Sequence, residues 1–550
     1  MKSKRFFLIL MVAIMVISSV ITGCTVVKEG SDTETEPVGT ASQPTSPKEP
    51  LFPLEKTGGI FLPITDQPIE YSMALAEHPN YAYKKDIFIA QKYLEEWTGV
   101  KFNIIPIPNA SYDDKIAIYF TSGALPDIVP LRLNDSYEGG MEGLLLPLDD
   151  LIDEYAKNVK KLDQESYPNS LKVSTAADGN IYCLPNYKND DPKRTYIYRK
   201  DLLEEMGLGI PETMDDFFTA LRTAKEKYED MIPFMTRRGK NGAVLNEISA
   251  AYDCYAEPSN IIVIEDEKAT IGVKNPMAKK LVSDFRILYQ EELMNQNYIL
   301  GDANYWEEKL LTGKALCTFD DHGRTGRFND SNAAAEKPIE GFMMTRAMPP
   351  IPEGGSGNQQ KLDYLEVWVT SFNKNIKNPE IAMQAMDFLY SDLGMDLTQY
   401  GVEGITFEYA ESGAHNINKD IVKSGEAPWG PNALENMFHG FYYPTFIKRN
   451  EKRLVDTMQN ATQDSLNWQI AWKESNRTRP PQPVFAFNKE ESEIWADNYD
   501  AVEKHFIVNI DKFIMGTRSM DEWDEFISEL EKLGALELVK VKQQQYDRSN

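Results

Sequence analysis

The strongest constraint on this chain is a repeated alternation of short apolar strands with helices that stop at glycine. Residues 60–63 and 69–74 read as opening strands. Helical spacing over 86–98 ends at Gly99, and the alternation over 100–105 reads as a strand. Residues 112–122 read as a helix stopped by Gly123, and Asp127-Ile128-Val129 as a short buried strand. Strand, helix, strand, helix, strand in that order argues for a parallel α/β sheet. The middle of the chain repeats the rhythm. Strands are expected at 181–185 and 195–198, a helix over 200–206 closed by Gly207, and another from Pro211-Glu212-Thr213 to about 228. The last third is helix-rich, with helical patterns at 379–390, 434–460, 489–506 and 520–533. A chain of 550 residues exceeds what one core can organise, so two or more lobes are expected.

The amino terminus bears on where such a body works. Lys2, Lys4 and Arg5 precede an uncharged run from Phe6 to Ile17, and the stretch ends Ile21-Thr22-Gly23-Cys24. Positive charge, a short apolar segment and small residues make a secretory signal. The run is short for a bilayer-spanning helix. A cysteine directly after the small residues resembles a bacterial lipobox, which implies cleavage before Cys24 and lipid on that residue. Residues 25–57 are rich in Ser, Thr, Glu, Pro and Gly, too poor in apolar surface to offset ordering entropy, and read as a flexible tether. Acidic residues number 85 against 58 basic, a formal charge of −27 that becomes −30 without Lys2, Lys4 and Arg5. That charge argues against nucleic acid and against docking on anionic lipid. Besides Cys24 the cysteines are Cys183, Cys254 and Cys317, too scattered for a disulfide framework and read as small buried hydrophobes.

Several segments together resemble one family, the large extracellular solute-binding lipoproteins of sugar ABC importers in Gram-positive bacteria. They are Asp114-Lys115-Ile116 with Phe120-Thr121-Ser122-Gly123-Ala124-Leu125-Pro126-Asp127-Ile128, then Leu145-Leu146-Pro147-Leu148-Asp149-Asp150, then Asp178-Gly179-Asn180-Ile181-Tyr182-Cys183-Leu184-Pro185. Tyr198-Arg199-Lys200-Asp201-Leu202-Leu203 with Pro211-Glu212-Thr213, Asn378-Pro379-Glu380, and Phe513-Ile514-Met515-Gly516 with Trp523-Asp524 follow in the expected order. Cys183 stands where a small residue is common, and Ile21-Thr22 is an unusual lipobox start. The resemblance implies a two-lobed α/β fold of the periplasmic-binding-protein type, with a hinge, discontinuous lobes and a helix-rich C-terminal part. It implies a signal at 1–23, a lipidated tether at 24–57, an N-terminal lobe of 58–177 plus 314–373, and a C-terminal lobe of 178–313 plus 374–550. Crossings between lobes are expected near 175–180, 312–320 and 371–376. The implied work is capture of a carbohydrate, an oligosaccharide above all, and delivery to ABC permease subunits by a monomer anchored at the outer face of the membrane.

A sugar site needs flat apolar faces and hydroxyl-binding amide, carboxylate and guanidinium groups in a concave place. Trp429, in the rigid loop Ala427-Pro428-Trp429-Gly430-Pro431, is a candidate stacking platform. Trp468 and Trp472, four apart on one helix face, read equally as core or cleft rim, as do Trp306 and Trp368 with more weight on core; Trp97, Trp495 and Trp523 read as core. Arg132 lies just beyond a strand's carboxyl end, where open α/β sheets bind ligands. Asp127 serves either as a turn cap or as a ligand contact, and Asn186 and Tyr187 sit at a lobe edge. Asp320 and Asp321 follow an apolar strand and serve either as hydroxyl acceptors or as a helix cap; Arg324 lies beside them, and two facing arginines would favour an acidic sugar. No HExxH, GxSxG, P-loop, EF-hand or dinucleotide pattern is present, and the five histidines lack metal-ligand spacing. No catalytic residue, metal or cofactor is therefore assigned. Two alternatives stay open: an exported polysaccharide-degrading enzyme, and a sugar-sensing accessory to a membrane kinase.

Overall fold

The computed structural model describes residues 49–77, 83, 89–187, 192, 194–237, 245, 247–300, 303–361, 365, 368–411, 413–418 and 463–549. All but residue 49 belong to one compact unit, Pro50–Asn550. Strands β1 (Ile69–Glu77), β2 (Val100–Pro108) and β3 (Ile128–Arg132) come first, with helices Ile89–Thr98 and Tyr112–Ser122 between them. They run parallel, β1 in register with β2 from Ile69↔Val100 to Glu77↔Pro108. Gly99 makes the first helix-to-strand turn at φ +75°, where a Cβ would lie 2.2 Å from the Thr65 carbonyl oxygen, so only glycine fits. Residues 60–63, expected as a strand, form none; Ile60 and Leu62 instead pack into the core.

After further helices comes the two-residue β4 (Cys183–Leu184), and then a second sheet begins. β5 (Arg194–Arg199) leads through helices Lys200–Glu205 and Met214–Lys227 to β6 (Ile232–Phe234). A hairpin, β7 (Ile262–Glu265) and β8 (Lys268–Ile271), precedes helix Pro276–Gln290. β9 (Ala315–Asp321) and β10 (Met344–Ala347) complete the second sheet. The short β11 (Gln359–Gln360) precedes β12 (Trp368–Phe372). Another hairpin, β13 (Phe407–Tyr409) with β14 (His415–Ile417), and the short β15 (Thr478–Arg479) are the remaining strands described. The first sheet has the order β2-β1-β3-β12-β4 and the second β10-β5-β9-β6.

The two sheets place the crossings differently from the sequence reading. β4 pairs with β12 and β5 pairs with β9, so the chain leaves the first sheet between 185 and 193. It returns between 348 and 367, where Tyr187 and Leu365 bridge the two crossing segments. Residues 315–321 and 344–347, expected in the N-terminal lobe, belong to the second sheet. Residues 376–397, expected in the C-terminal lobe, pack into the first core. The reason is that a short apolar strand fits either sheet equally well, and only its long-range pairing decides. The C-terminal helices join the second core, with Val502, Phe506, Phe513, Trp523 and Phe526 packed beside Phe217, Phe234 and Phe285. Cys183, Cys254 and Cys317 are buried and free, as expected. The expected helix at 434–460, Cys24 and the signal and tether segments to residue 48 lie outside the described residues. Among the described residues no helix is long and apolar enough to cross a membrane.

Candidate functional site

Because these two crossings leave from the carboxyl end of β4 and the carboxyl end of β10, the carboxyl edges of β1, β2 and β3 point toward the same crossing region as those of β6 and β9. In open α/β sheets that edge is where ligands bind.

On the first sheet, Arg132 ends β3 opposite Trp368, its register partner at the start of β12. Trp368 is buried and meets Tyr112 edge to face, with ring centroids 5.3 Å apart. The Arg132 guanidinium lies 4.8 Å over the Trp368 ring, and its Nη2 donates to Asp113 Oδ2 at 2.8 Å. Burial, then the charge of Glu138, pushes the neighbouring Asp135 carboxyl up. Asn186, just past β4, is buried, and its Nδ2 has no hydrogen-bond partner.

The second sheet repeats the same stack. Asp320, buried near the end of β9, accepts from Arg237 Nε at 2.8 Å and Nη2 at 3.1 Å. Arg237 lies 4.7 Å over the Trp306 ring, and Trp306 Nε1 donates to Thr318 Oγ1 at 3.0 Å. Arg324 stands 3.9 Å from the same carboxylate and 5.8 Å from the same ring. The hydrogen bond from Arg237 to Asp320 holds the guanidinium above its usual pKa. Both tryptophans are therefore supports for an arginine, each topped by an Arg–carboxylate pair. Asp321, opposite Arg194 in register, accepts from the Gly323 amide at 2.9 Å and shapes the turn into helix Arg324–Ala333.

A third aromatic group joins this edge from helix Gln463–Ser475. The His322 ring stacks on Trp468 at 4.8 Å, and Trp472 lies 6.5 Å from Trp468. Asp464 fixes that helix to β10 by accepting from Arg346 Nη1 at 2.6 Å and from Thr345 Oγ1. Burial pulls the Arg346 guanidinium below its usual pKa, with Asp464 opposing. Trp468 and Trp472 are buried, and neither Nε1 has a hydrogen-bond partner.

The sequence-expected residues divide. Arg132, Asn186, Asp320 and Asp321 lie at the facing edges. Asp127 does not act there: its Oδ2 accepts the Ser72 amide at 2.8 Å and the Ser72 hydroxyl at 2.6 Å, which ties β3 to β1. Tyr187 is fully buried, stacked on Tyr167 at 4.1 Å, with its hydroxyl 2.8 Å from Ser170 Oγ. Both side chains hold scaffold contacts, Asp127 to β1 and Tyr187 within the first core. Trp429 lies outside the described residues. Trp97 and Trp523 are core, as expected. Arg237 and Arg346 were not singled out from the sequence. The usable signal for Arg237 was its place just past the apolar strand Ile232-Pro233-Phe234.

A cavity of about 570 Å³ opens beside the crossing segments, between Val173, Ala176 and Gly179 on one side and Pro481, Pro483 and Phe485 on the other. It contains neither of the tryptophan-supported arginine–carboxylate pairs, so its volume does not mark the site. Among the described residues no group of three or more His, Cys, Asp or Glu is placed to hold a metal ion.

Residues 76–395 match the family described as bacterial extracellular solute-binding protein. Lipoprotein LipO of Bacillus subtilis (strain 168) is 26% identical over 257 residues, 45% of this chain and 49% of LipO, so that match spans about half of the relative. The fructooligosaccharide ABC transporter substrate-binding protein FusA of Streptococcus pneumoniae serotype 4 (strain ATCC BAA-334 / TIGR4) is 24% identical over 495 residues, 83% of this chain and 86% of FusA. The crystal structure of the alginate-binding protein AlgQ2 without calcium ion has a TM-score of 0.68 at 22% identity, over 88% of this chain and 99% of AlgQ2. At that identity the likeness shows a shared fold.

Proposed function

Because the chain belongs to the bacterial extracellular solute-binding proteins, we propose that it captures an oligosaccharide between its two lobes and delivers it to an ABC importer. The observation that carries this reading is the pair of Trp–Arg–Asp stacks at the carboxyl edges of two sheets joined by crossing segments. An arginine already oriented on an indole and held by a carboxylate presents fixed donors and acceptors to vicinal hydroxyls without reorganising. Two lobes joined by a hinge close on such a ligand, and the closed shape is what a permease reads. FusA is by name a fructooligosaccharide-binding protein and AlgQ2 an alginate-binding protein, which supports a carbohydrate as cargo.

The reading includes no catalysis. Asp320, a candidate hydroxyl acceptor, is engaged by Arg237 through both oxygens. Trp429 is retained as a stacking platform, and Cys24 as the lipid-bearing residue that holds the body at the outer membrane face. Calorimetric titration with an oligosaccharide panel tests the reading. Stoichiometric binding with sugar recovered intact is expected, and recovery of cleaved sugar would replace the receptor by an enzyme. Cys24→Ala is expected to move the protein from the membrane fraction into the medium; retention in the membrane would remove the anchor.

A further inference from the structure

Resting on the oligosaccharide reading, we infer that the ligand is uncharged, and that Trp468, Trp472 and Asn186 hold it through neutral N–H donors. The first argument is what these donors lack. Asn186 is 2% exposed, Trp468 4% and Trp472 8%, and Asn186 Nδ2 and both indole Nε1 atoms have no hydrogen-bond partner. Natural proteins pair nearly all such groups, because a buried unpaired donor gives up its water without return. Asn186 follows β4, the Trp468 ring stacks on His322, the residue after β9, and Trp472 lies 6.5 Å from Trp468 on the same helix. What would satisfy them is an acceptor oxygen on a ligand. Hydroxyl, ring and glycosidic oxygens all qualify.

The second argument is what the cations do not lack. Arg132 is matched by Asp113 at 2.8 Å, Arg346 by Asp464 at 2.6 Å and Arg194 by Glu247 at 3.7 Å. Arg237 and Arg324 share Asp320 at 2.8 and 3.9 Å, with Asp321 next in sequence. Among the described residues these five arginines stand beside five carboxylates, while Arg477, near the end of β10, spends its donors on the Pro349 and Gly357 carbonyls. A uronate would have to displace an acidic partner, and it would approach a chain of formal charge −27. A hydroxyl needs no displacement, since it donates to the carboxylate and accepts from the guanidinium of an intact pair. Arg132, which with Arg324 would favour an acidic sugar if both faced the ligand, already has Asp113 as its partner, and Arg324 shares Asp320 with Arg237.

The test is calorimetric titration of the full chain with neutral tetrasaccharides (nystose, stachyose) and with tetragalacturonate and tetramannuronate, at low and high salt. A neutral tetrasaccharide is expected to bind at least about tenfold more tightly than either uronate, with little salt dependence. Trp468→Phe and Trp472→Phe, which keep a ring and remove the donor, are each expected to weaken binding about five- to tenfold while leaving the melting temperature of the free protein unchanged or higher. Tighter binding of a uronate overturns the inference and leaves the oligosaccharide reading standing. Binding of neither class overturns both. Unchanged affinity in both phenylalanine variants removes the tryptophans from the site. The ligand comparison uses the unsubstituted chain, so it decides the question of charge even if a variant fails to fold.

Discussion

Asp127 Oδ2 receives the amide and the hydroxyl of Ser72, a residue distant in sequence, and the Asp127 amide in turn donates to Ser72 Oγ at 3.0 Å. Hydrogen bonds to a charged acceptor contribute more than neutral ones. Asp127→Ala is therefore expected to lower stability by about 2 kcal/mol in denaturant melts while leaving sugar affinity within about twofold. Asp320 has the opposite profile. It is 5% exposed in its side chain, and Arg237 opposite it is 28% exposed. Removing one partner of a buried pair strands the other, so Asp320→Ala is expected to cost about 3 kcal/mol and to weaken binding at least about tenfold. An Asp320→Ala protein that binds sugar normally would return Asp320 to the scaffold. The sequence places both aspartates at strand ends but cannot tell them apart, because what separates them is a partner far away in the chain: Ser72 for one, Arg237 for the other. Tyr187 shows the same limit. Its position beside a crossing was legible, but the Tyr167 ring and Ser170 hydroxyl that hold it inside were not.

Helix Met214–Lys227 begins with a reciprocal cap: Thr213 Oγ1 accepts the Asp216 amide at 3.1 Å and Asp216 Oδ2 accepts the Thr213 amide at 3.0 Å. The hydrogen bond from the Thr213 hydroxyl to Asp216, then that from its amide, holds the Asp216 carboxyl below its usual pKa. A carboxyl with a depressed folded pKa adds stability above its unfolded value and loses it as pH falls through the folded one. Thr213→Ala is accordingly expected to melt lower than the parent near neutral pH and to converge with it in acid. A constant gap between the two at all pH values would mean that the cap acts without Asp216 ionisation. This element was legible beforehand, since Pro211-Glu212-Thr213 before an apolar-periodic run is a local signal. The helices bounded by glycine, such as Tyr112–Ser122 with Gly123 at φ +67°, were legible for the same reason. Other strands were less so: β4 and β11 are two residues long, and β9 declares its sheet only through β5 and β6, each far earlier in the chain.

Closure of the whole molecule depends on where the crossing segments are held. On the second-lobe side, the Gln359 and Lys361 amides donate to the Arg477 and Arg479 carbonyls at 2.9 Å, and Gln359 Nε2 donates to Thr195 Oγ1 at 2.8 Å. Arg479 in turn is buried against Glu257 and lies 4.1 Å over the Tyr255 ring. On the first-lobe side, Tyr187 is stacked on Tyr167 and bridges Leu365. These contacts anchor one crossing segment at 359–361 and at Leu365, and the other at Tyr187. Short, anchored pivots restrict the open ensemble, and affinity includes the free energy of closing it. Lys361→Gly adds backbone freedom next to the last anchor while touching no arginine–carboxylate pair. The open state gains about 0.4–1 kcal/mol of freedom that closure must remove, so the dissociation constant is expected to rise about two- to fivefold. The melting temperature should change little, and the saturated complex should show the same radius of gyration as the parent by small-angle scattering, with contraction from a more extended free protein. If affinity falls and the saturated complexes differ in size, the substitution has altered the closed state itself. If neither affinity nor the free radius moves, the anchor at Lys361 does not govern closure.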